Sequence, residues 1–479
     1  MKTILVNTVP EETRVAVLAD GELQALELER STHSHLVGNL YKGYVQNVLP
    51  GMQAAFVDIG LGKNAFLYVG DGLPREAVTS VPPQERIHIG QQILLQIVKD
   101  AIGTKGPRAT MHISLPGRNV VLMPTSAYIG ISRRIGSTEE RERLHGIAER
   151  LCPEGMGLIV RTVAEGQEEA VLRDDVDYLV RLWRSIQARC KLAKAPALLY
   201  RDADLIIRMV RDVFAADVDD MILDDPTVHR RVVELVRYIS PDLLDRVQLY
   251  EARIPLFRKF RLDEEIEKMG AREIALQSGG SIVIDKTEAL TAIDVNTGKY
   301  VGKSNLAETA YRTNLEAAAE ILKQVRLRDI GGIIIVDFID MEGAGHKEKL
   351  LEYMREQAKQ DRTKTNIVDI TSLGLVEITR KKSRQNFESI RFSECPCCHG
   401  RGRIESPETV CINISRDIRS MERFSHARAG YGVEVHPQVA EELERSKILE
   451  GLEREFGTVI RVVSKGEMHP ETYSILSGG

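Results

Sequence analysis

The strongest constraint on the fold is the alternation of strand and helix patterns between residues 279 and 393. Short aliphatic runs predict strands, and long stretches with apolar residues three and four apart predict helices between them. Strands that alternate with helices form a sheet covered by helices, because each strand must bury its apolar face. We therefore predict an α/β domain here, with residues 289–294 and 332–338 in central strands.

Length and composition narrow the class of protein. A chain of 479 residues is long enough for about two to four domains. With 43% hydrophobic residues, 28% charged residues and a formal net charge of -5, it has the composition of a soluble globular protein and not of a basic nucleic-acid binder. We find neither a run long enough to span a membrane nor a signal peptide, and expect a cytoplasmic protein without a membrane anchor.

A second region, near the N-terminus, predicts a different architecture. Five short strand patterns follow one another closely, separated by Gly and Pro turns, at residues 41–48, 54–59, 65–69, 93–99 and 111–114. Short strands at such spacing are typical of a small closed β-barrel. Residues 135–195 predict mixed helix and strand, and residues 202–270 are mostly helical in pattern. The fold class is thus multidomain, α/β and α+β.

Acidic side chains stand at the ends of the two central strands. Asp294 and Asn296 are two residues apart and therefore point to the same side, and Asp337 closes the next aliphatic strand. Ligands bind at this edge of open α/β sheets, and carboxylates suit Mg2+ or Mn2+. The residues predict phosphodiester hydrolysis by a metal-activated water. The alternative is that the acids cap helices or form turns.

Two phenylalanines in the barrel region suggest a surface for single strands. Phe56 and Phe66 fall on neighbouring predicted strands, and Lys105 and Arg108 follow in a Gly-rich loop. Aromatic rings beside cations are typical of barrels that bind single-stranded nucleic acid. The alternative is that both rings belong to the barrel core.

Three of the six cysteines lie within four positions. Cys395 and Cys398 have the spacing of a zinc half-site, with Cys397 and His399 beside them, and the sequence holds no second pair of this kind. Four ligands therefore require another protomer, or the participation of Cys397 and His399. A redox dithiol is the alternative, although such sites usually begin a helix.

Taken together, these motifs resemble the ribonuclease E and ribonuclease G family of bacterial endoribonucleases over nearly the whole chain. The segment from Gly279 to Met341 is similar to that family's DNase I-like catalytic domain. The resemblance implies that Asp294 and Asp337 bind Mg2+ and that Asn296 orients the attacking water. It also implies that Cys395 and Cys398 bind a structural Zn2+ shared between protomers, in a homodimer or homotetramer.

The same resemblance assigns residues that bind RNA. It implies that Phe56, Phe66 and Lys105 hold the strand on an S1-type OB domain. It further implies a pocket for a 5′ monophosphate, in which the RNA end meets the residues Gly117, Val121, Arg161, Thr162 and Lys364. Lys364 stands where family members can carry Arg, so it offers a point charge in place of a fork.

The resemblance also implies seven segments. They are an RNase H-like domain in two parts (1–37 and 213–278), the S1-type OB domain (38–118), a 5′ sensor domain (119–212), the DNase I-like domain (279–393), the zinc link (394–403) and a small C-terminal domain (404–479). We expect no long tail of the kind with which some members scaffold a degradosome, and therefore a protein nearer to the family's shorter branch.

The expected function is Mg2+-dependent cleavage of single-stranded, A/U-rich RNA, with preference for 5′-monophosphorylated ends. The expected substrates are rRNA precursors and mRNA, in rRNA 5′ maturation and mRNA decay. One rival is a non-catalytic RNA-binding or ribosome-assembly factor that keeps the barrel but not the site. Another is a zinc or redox switch protein centred on Cys395 and Cys398.

Overall fold

The computed structural model describes residues 1–31, 36–68, 87–101, 105–297, 306–341, 345–381, 387–424 and 430–477. The chain divides into two compact units, Met1–Ile390 and Arg391–Gly479. Strands and helices are numbered in chain order through both units. Within the described ranges, no helix has the length and apolar character needed to cross a membrane.

The first sheet joins strands from two distant parts of the chain. Its strands are β1 (Lys2–Val9), β2 (Glu12–Ala19), β3 (Glu22–Arg30), β14 (Asp220–Leu223) and β15 (Val247–Leu249). The helices in this region are α3 (Leu205–Asp212), α4 (Pro226–Ile239), α5 (Leu256–Lys259) and α6 (Leu262–Lys268), with a 3-10 helix at Pro241–Arg246. The strand order is β15-β14-β1-β2-β3, with β1 parallel to β14. Apolar residues of α3 three and four apart pack on this sheet in one core.

The second sheet is a closed barrel. It consists of β4 (Leu40–Leu49), β5 (Ala54–Asp58), β6 (Ala65–Tyr68), β7 (Gln92–Lys99) and β8 (Arg108–Thr110), with a 3-10 turn at Pro50–Met52. The order β4-β5-β6-β8-β7 closes on itself because β7 also pairs with β4. A further strand, β13 (Ala197–Tyr200), pairs antiparallel with β4. The predicted five-stranded barrel is confirmed, and it is consistent with an OB-type domain.

The last predicted barrel strand, residues 111–114, is wrong. The last barrel strand in chain order is β8. The backbone that follows β8 forms hydrogen bonds with side chains and not with a neighbouring strand. The N–H of Ile113 donates to Thr125 Oγ1 at 3.0 Å, and the N–H of Ser114 donates to Gln96 Oε1 at 2.8 Å. Side-chain acceptors that compete with strand pairing explain why an apolar run here does not extend the barrel.

The third sheet follows the barrel directly. Its strands are β9 (Leu115–Pro116), β10 (Val120–Met123), β11 (Ile129–Ile131) and β12 (Gly157–Val160), with helices α1 (Thr138–Leu151) and α2 (Glu169–Leu192) and a 3-10 turn at Thr162–Ala164. Ser137 caps α1 as predicted, since its Oγ accepts from the Glu140 N–H at 3.2 Å. The second bond of the predicted capping box is not formed, because the Glu140 carboxylate accepts from Arg143 and the Gly166 N–H. Trp183 of α2 lies in the core that α1 and α2 form with the strands of this sheet.

The fourth sheet confirms the predicted α/β region. It contains β16 (Glu273–Ala275), β17 (Ser281–Lys286), β18 (Leu290–Asn296), β19 (Gly332–Asp337), β20 (Thr365–Ile370) and β21 (Leu375–Arg380), with helices α7 (Leu306–Leu327), α8 (His346–Ala358) and the short α9 (Phe387–Arg391). The order is β16-β17-β18-β19-β21-β20, and β18 and β19 are parallel. Apolar residues of α7 and α8 form one core with alternate residues of the strands. The other face of β18 and β19 is exposed along most of its length.

The second unit has its own core. It contains β22 (Tyr431–Val435), β23 (Ile460–Ser464) and β24 (Tyr473–Ser477), with α10 (Pro407–Phe424), α11 (Pro437–Ser446) and α12 (Ile448–Phe456). The strand order is β23-β22-β24. As predicted, Ser406 caps α10, because its Oγ accepts from the Thr409 N–H at 3.2 Å.

Candidate active site

Two aspartates lie side by side on the exposed face of the fourth sheet. Along β18, Ile293 and Val295 are buried, and the residues that alternate with them, Asp294 and Asn296, are exposed. Asp294 is the direct register partner of Asp337 on the parallel strand β19. Because paired residues on neighbouring strands share a face about 4.8 Å apart, the two carboxylates project from the same place.

The third predicted residue bonds directly to this pair. The Asn296 Nδ2 donates to Asp294 Oδ2 at 2.8 Å, which fixes the amide beside the carboxylate and leaves its oxygen as an acceptor. Within the described ranges, neither Asp294 nor Asp337 accepts a hydrogen bond from a helix or turn backbone. The cap or turn interpretation therefore has no support there.

A buried residue, Asn314, forms hydrogen bonds with the backbone segment that follows Asp337. Asn314 of α7 donates from Nδ2 to the Ile339 carbonyl at 2.7 Å and accepts from the Ile339 N–H at 3.1 Å. Asn314 is fully buried and Phe338 lies in the core. The sequence analysis missed Asn314, because a polar residue inside a long helix shows its function only through its partner.

The donor set suits a hard divalent cation. Mg2+ is commonly bound by one or two carboxylates and completes its shell with waters and substrate phosphates. Asp294 and Asp337 supply two adjacent carboxylates on an open face, where a phosphate can reach them. In the part of the chain that the structure describes, no three His, Cys, Asp or Glu side chains are grouped for metal binding. Asp294 and Asp337 offer the two carboxylates that Mg2+ or Mn2+ would need here, with waters or a phosphate as the other ligands.

The two phenylalanines of the barrel are neighbours. Phe56 of β5 and Phe66 of β6 are register partners, with ring centroids 5.9 Å apart and an angle of 71° between the planes. Both are half-buried, and Ala55 and Val57 on either side of Phe56 are buried. Alternation along the strand therefore places the rings on the outer face, which contradicts the core interpretation.

Cations continue the row that the rings begin. Arg108 of β8 is the register partner of Phe66, and Lys99 of β7 is the register partner of Arg108. Lys105, just before β8, is exposed. Arg108 lies in a strand and not in the predicted loop. Lys99 was not predicted, because its position beside Arg108 depends on a strand pairing that the sequence does not show.

The residues predicted to sense a 5′ phosphate are centred on Arg161. Its Nη1 donates to the Gly117 carbonyl at 2.8 Å and to Asp212 Oδ1 at 2.6 Å. A Cβ on Gly117 would overlap the carboxylate of Asp175, which explains why glycine stands there. That carboxylate accepts the N–H of Asn119 at 2.7 Å, and burial raises its pKa. Asp175 and Asp212 were both missed by sequence reasoning.

The remaining sensor residues approach Arg161 from several directions. Thr162 Oγ1 and Ser132 Oγ are 2.8 Å apart. Val121 of β10 is half-buried and pairs with Pro116, which precedes Gly117. Gly117 thus contacts Arg161 directly and Thr162 follows it in the chain, whereas Val121 is linked to Gly117 only through its pairing with Pro116.

Lys364 lies just before β20 of the fourth sheet and lines the same cavity as Arg161. It lines a cavity of about 1450 Å³ together with Arg161, Asp212 and Arg134. The two walls touch where Arg134 Nη2 donates to the Arg362 carbonyl at 3.2 Å. The structure therefore brings Lys364 and Arg161 to one cavity, whereas Gly117, Val121 and Thr162 do not line it.

The cysteine segment forms a tight turn in the second unit. The His399 N–H donates to the Cys395 carbonyl, and the Arg401 N–H donates to the Cys398 carbonyl, each at 2.9 Å. Hydrogen bonds from the backbone of Cys398 and Cys397 lower the pKa of the Cys395 thiol. All six cysteines are free. A turn that favours the thiolate suits a zinc half-site made by Cys395 and Cys398.

Paired carboxylates on an open sheet face, together with an aromatic and basic barrel surface, are features expected of a hydrolase that acts on nucleic acid. A family model described as the Ribonuclease E/G family matches residues 114–383. Ribonuclease G of Escherichia coli strain K12 is 40% identical over 99% of both chains, and ribonuclease G of Haemophilus influenzae is 38% identical over the same shares. Ribonuclease E of Nostoc sp. strain PCC 7120 is 41% identical over 81% of this chain and 57% of its own.

The chain belongs to the Ribonuclease E/G family. This membership confirms the resemblance drawn from the motifs and the prediction of an enzyme of the endoribonuclease class.

Proposed function

We propose that the protein is a divalent-metal-dependent endoribonuclease that cuts single-stranded, A/U-rich RNA and prefers a 5′-monophosphorylated end. Its substrates would be rRNA precursors and mRNA, in rRNA 5′ maturation and mRNA decay. The observation that carries the proposal is the register pairing of Asp294 with Asp337 on an exposed sheet face, with Asn296 bonded beside them.

Asp294 and Asp337 would hold Mg2+ or Mn2+, which when bound lowers the pKa of water and offsets negative charge on the phosphate. The Asn296 amide donates to Asp294. Its oxygen can accept a hydrogen bond from the attacking water and so orient the water toward phosphorus. Asn314 keeps the segment after Asp337 in place through its two bonds to Ile339.

The outer face of the barrel would hold the RNA strand. Bases can stack on Phe56 and Phe66, whose rings lie together on the surface, and Lys105 can pair with a phosphate. Stacking requires unpaired bases, which supports a preference for single strands.

The cavity with Arg161 and Lys364 would receive the 5′ end. A guanidinium binds a phosphate through two parallel hydrogen bonds. Thr162, Gly117 and Val121 lie outside the lining of this cavity, so they would contact the terminal nucleotide at its edge. Cys395 and Cys398 of two protomers would share one Zn2+, which makes the working form a homodimer or homotetramer.

The test uses a short A/U-rich RNA with either a 5′ monophosphate or a 5′ hydroxyl, in Mg2+. We expect the wild type to cut internally, faster on the monophosphate, and Asp337→Asn to bind RNA without cutting it. Asp285→Asn is the matched control, because Asp285 is exposed on the same face and pairs only with Arg272 among the described residues. If every form binds RNA and none cuts it, the RNA-binding factor is the correct interpretation.

A further inference from the structure

We propose that Asp212 is a positioning residue for the 5′ phosphate pocket, which holds the guanidinium of Arg161 with one edge turned toward the RNA end. The inference rests on the proposed 5′-monophosphate preference and extends it to a residue outside the sensor motif. Asp212 is the last residue of α3, and its Oδ1 lies 2.6 Å from Arg161 Nη1.

The hydrogen bonds of Arg161 leave a specific edge of its side chain for a ligand. Both recorded contacts use Nη1, one with the Gly117 carbonyl and one with Asp212. Across the described ranges, Nε and Nη2 have no hydrogen-bond partner. These two nitrogens form the edge of a guanidinium that binds a phosphate in bidentate fashion. Asp212 is thus bonded to Nη1, the guanidinium nitrogen outside this edge, and orients Nε and Nη2 for binding.

Asp212 is itself fixed by a second arginine. Arg211 donates from Nε to Oδ1 and from Nη2 to Oδ2, both at 3.0 Å. Burial alone would raise the pKa of Asp212, but the hydrogen bond from Arg211 and the charges of Arg211 and Arg161 outweigh it and lower the pKa. The carboxylate therefore stays charged at neutral pH and keeps both arginines in place.

The end of α3 is also tied to the backbone beside Gly117. Arg211 Nη1 donates to the Pro116 carbonyl at 3.3 Å, and Arg118 Nη1 donates to the Val210 carbonyl at 3.0 Å. Met209 and Val210 are buried in the core of the first sheet, so the helix end is a firm support. The position of Arg161 thus depends on a helix that packs on another sheet.

The test measures the affinity of two RNAs, with a 5′ monophosphate or a 5′ hydroxyl, in the uncleaving Asp337→Asn background. We expect Asp212→Asn to reduce the affinity advantage of the monophosphate about tenfold or more, and to leave binding of the hydroxyl RNA unchanged, because only the phosphate needs an oriented guanidinium. In the active background, KM for the monophosphate RNA should rise and kcat should stay the same. Asp212→Glu keeps the charge and should lose less of the advantage.

Asp263→Asn is the matched control. Asp263 of α6 pairs with Arg14 at 3.5 Å, and neither residue lines the cavity that contains Arg161. We expect it to keep the full monophosphate advantage. If Asp212→Asn folds and keeps the advantage, Asp212 does not position Arg161. If Asp212→Asn fails to fold, Asp212→Ser is measured in its place, and an undiminished advantage in that variant overturns the inference. If the protein with Asp212 intact shows no advantage, the proposed 5′ preference fails and the inference fails with it.

Discussion

Asn314 and Ile339 exchange two hydrogen bonds, so a single buried amide satisfies both backbone groups of a residue two positions after Asp337. An amide is well suited to this role because it donates and accepts through one rigid plane. The segment that carries Asp337 is therefore attached to α7 as well as to its own strand.

We expect Asn314→Ala to leave both Ile339 backbone groups without partners and to lower the free energy of unfolding by about 2 kcal/mol. Cleavage should slow while RNA affinity is kept. Urea denaturation and a cleavage assay measure the two effects. Asn366→Ala, at an exposed position of β20 in the same sheet, should change neither. Unchanged cleavage by a folded Asn314→Ala would show that the two hydrogen bonds between Asn314 and Ile339 do not support the site.

Phe56→Ala and Phe66→Ala should weaken RNA binding. Stacking of a base on an aromatic ring is worth about 1–3 kcal/mol, so the Kd for single-stranded RNA should rise roughly 5- to 150-fold for each variant. Fluorescence anisotropy with a labelled RNA gives the Kd. Tyr238→Ala removes an aromatic ring that is 74% exposed on α4 and should have no effect. If all three variants bind RNA as tightly as the wild type, the outer face of the barrel is not part of the RNA-binding surface.

Cys395→Ser and Cys398→Ser should each reduce bound zinc and shift the protein to a smaller species, because two protomers would share the ion. Metal analysis and light scattering report the two quantities. Cys397→Ser should keep both, since the structure uses the Cys397 carbonyl, not its thiol, in a 2.6 Å contact with His469 Nε2. Loss of zinc without a change in mass would favour the zinc or redox switch.

The stability of the region around α1 should depend on acid through Glu140. Hydrogen bonds from Arg143, at 2.6 and 2.7 Å, and from the Gly166 N–H, at 2.8 Å, lower the pKa of Glu140 to about 2. Because the folded pKa lies below the unfolded one, the stabilisation is complete above the ordinary value of 4.5 and is lost as pH falls toward 2.

Urea midpoints of the wild type and Glu140→Gln should therefore differ at pH 7 and converge near pH 2. Glu142→Gln, on the exposed side of the same helix, should match the wild type throughout. A difference between wild type and Glu140→Gln that does not change with pH would exclude this linkage.

Regular elements could be predicted closely from the sequence. The apolar spacing predicts a helix over 306–326, and the structure has Leu306–Leu327. Gly331 and Gly332, which follow this helix, mark its C-terminal end in the sequence. Strand β19 is predicted at 332–338 and found at Gly332–Asp337. The barrel end was missed because side chains such as Thr125 and Gln96 bind the backbone after β8, and no periodicity reports such bonds.

The candidate site was only partly accessible. Period-two spacing places Asp294 and Asn296 together, but the pairing of Asp294 with Asp337 depends on which strands are neighbours. Lys364, just before β20, and Arg161, just after β12, line one cavity, and only the family resemblance linked them in the sequence. Asp212 belongs to no motif, since its role arises from the end of one helix reaching the loop of another region.

The parallel pairing of β1 with β14 has a consequence for folding during synthesis. Strand β1 is made first, yet Thr3 is the partner of Asp220, and bonds across this edge join residues 217 positions apart. Until the ribosome has released that length of chain, β1 can pair only with β2. The opposite edge of β1, which later pairs with β14, exposes its N–H and C=O groups during that time. Such late closure slows folding and leaves a strand edge open to wrong partners. The barrel and the sheet after it can be complete before the first strand of the chain finds its last neighbour.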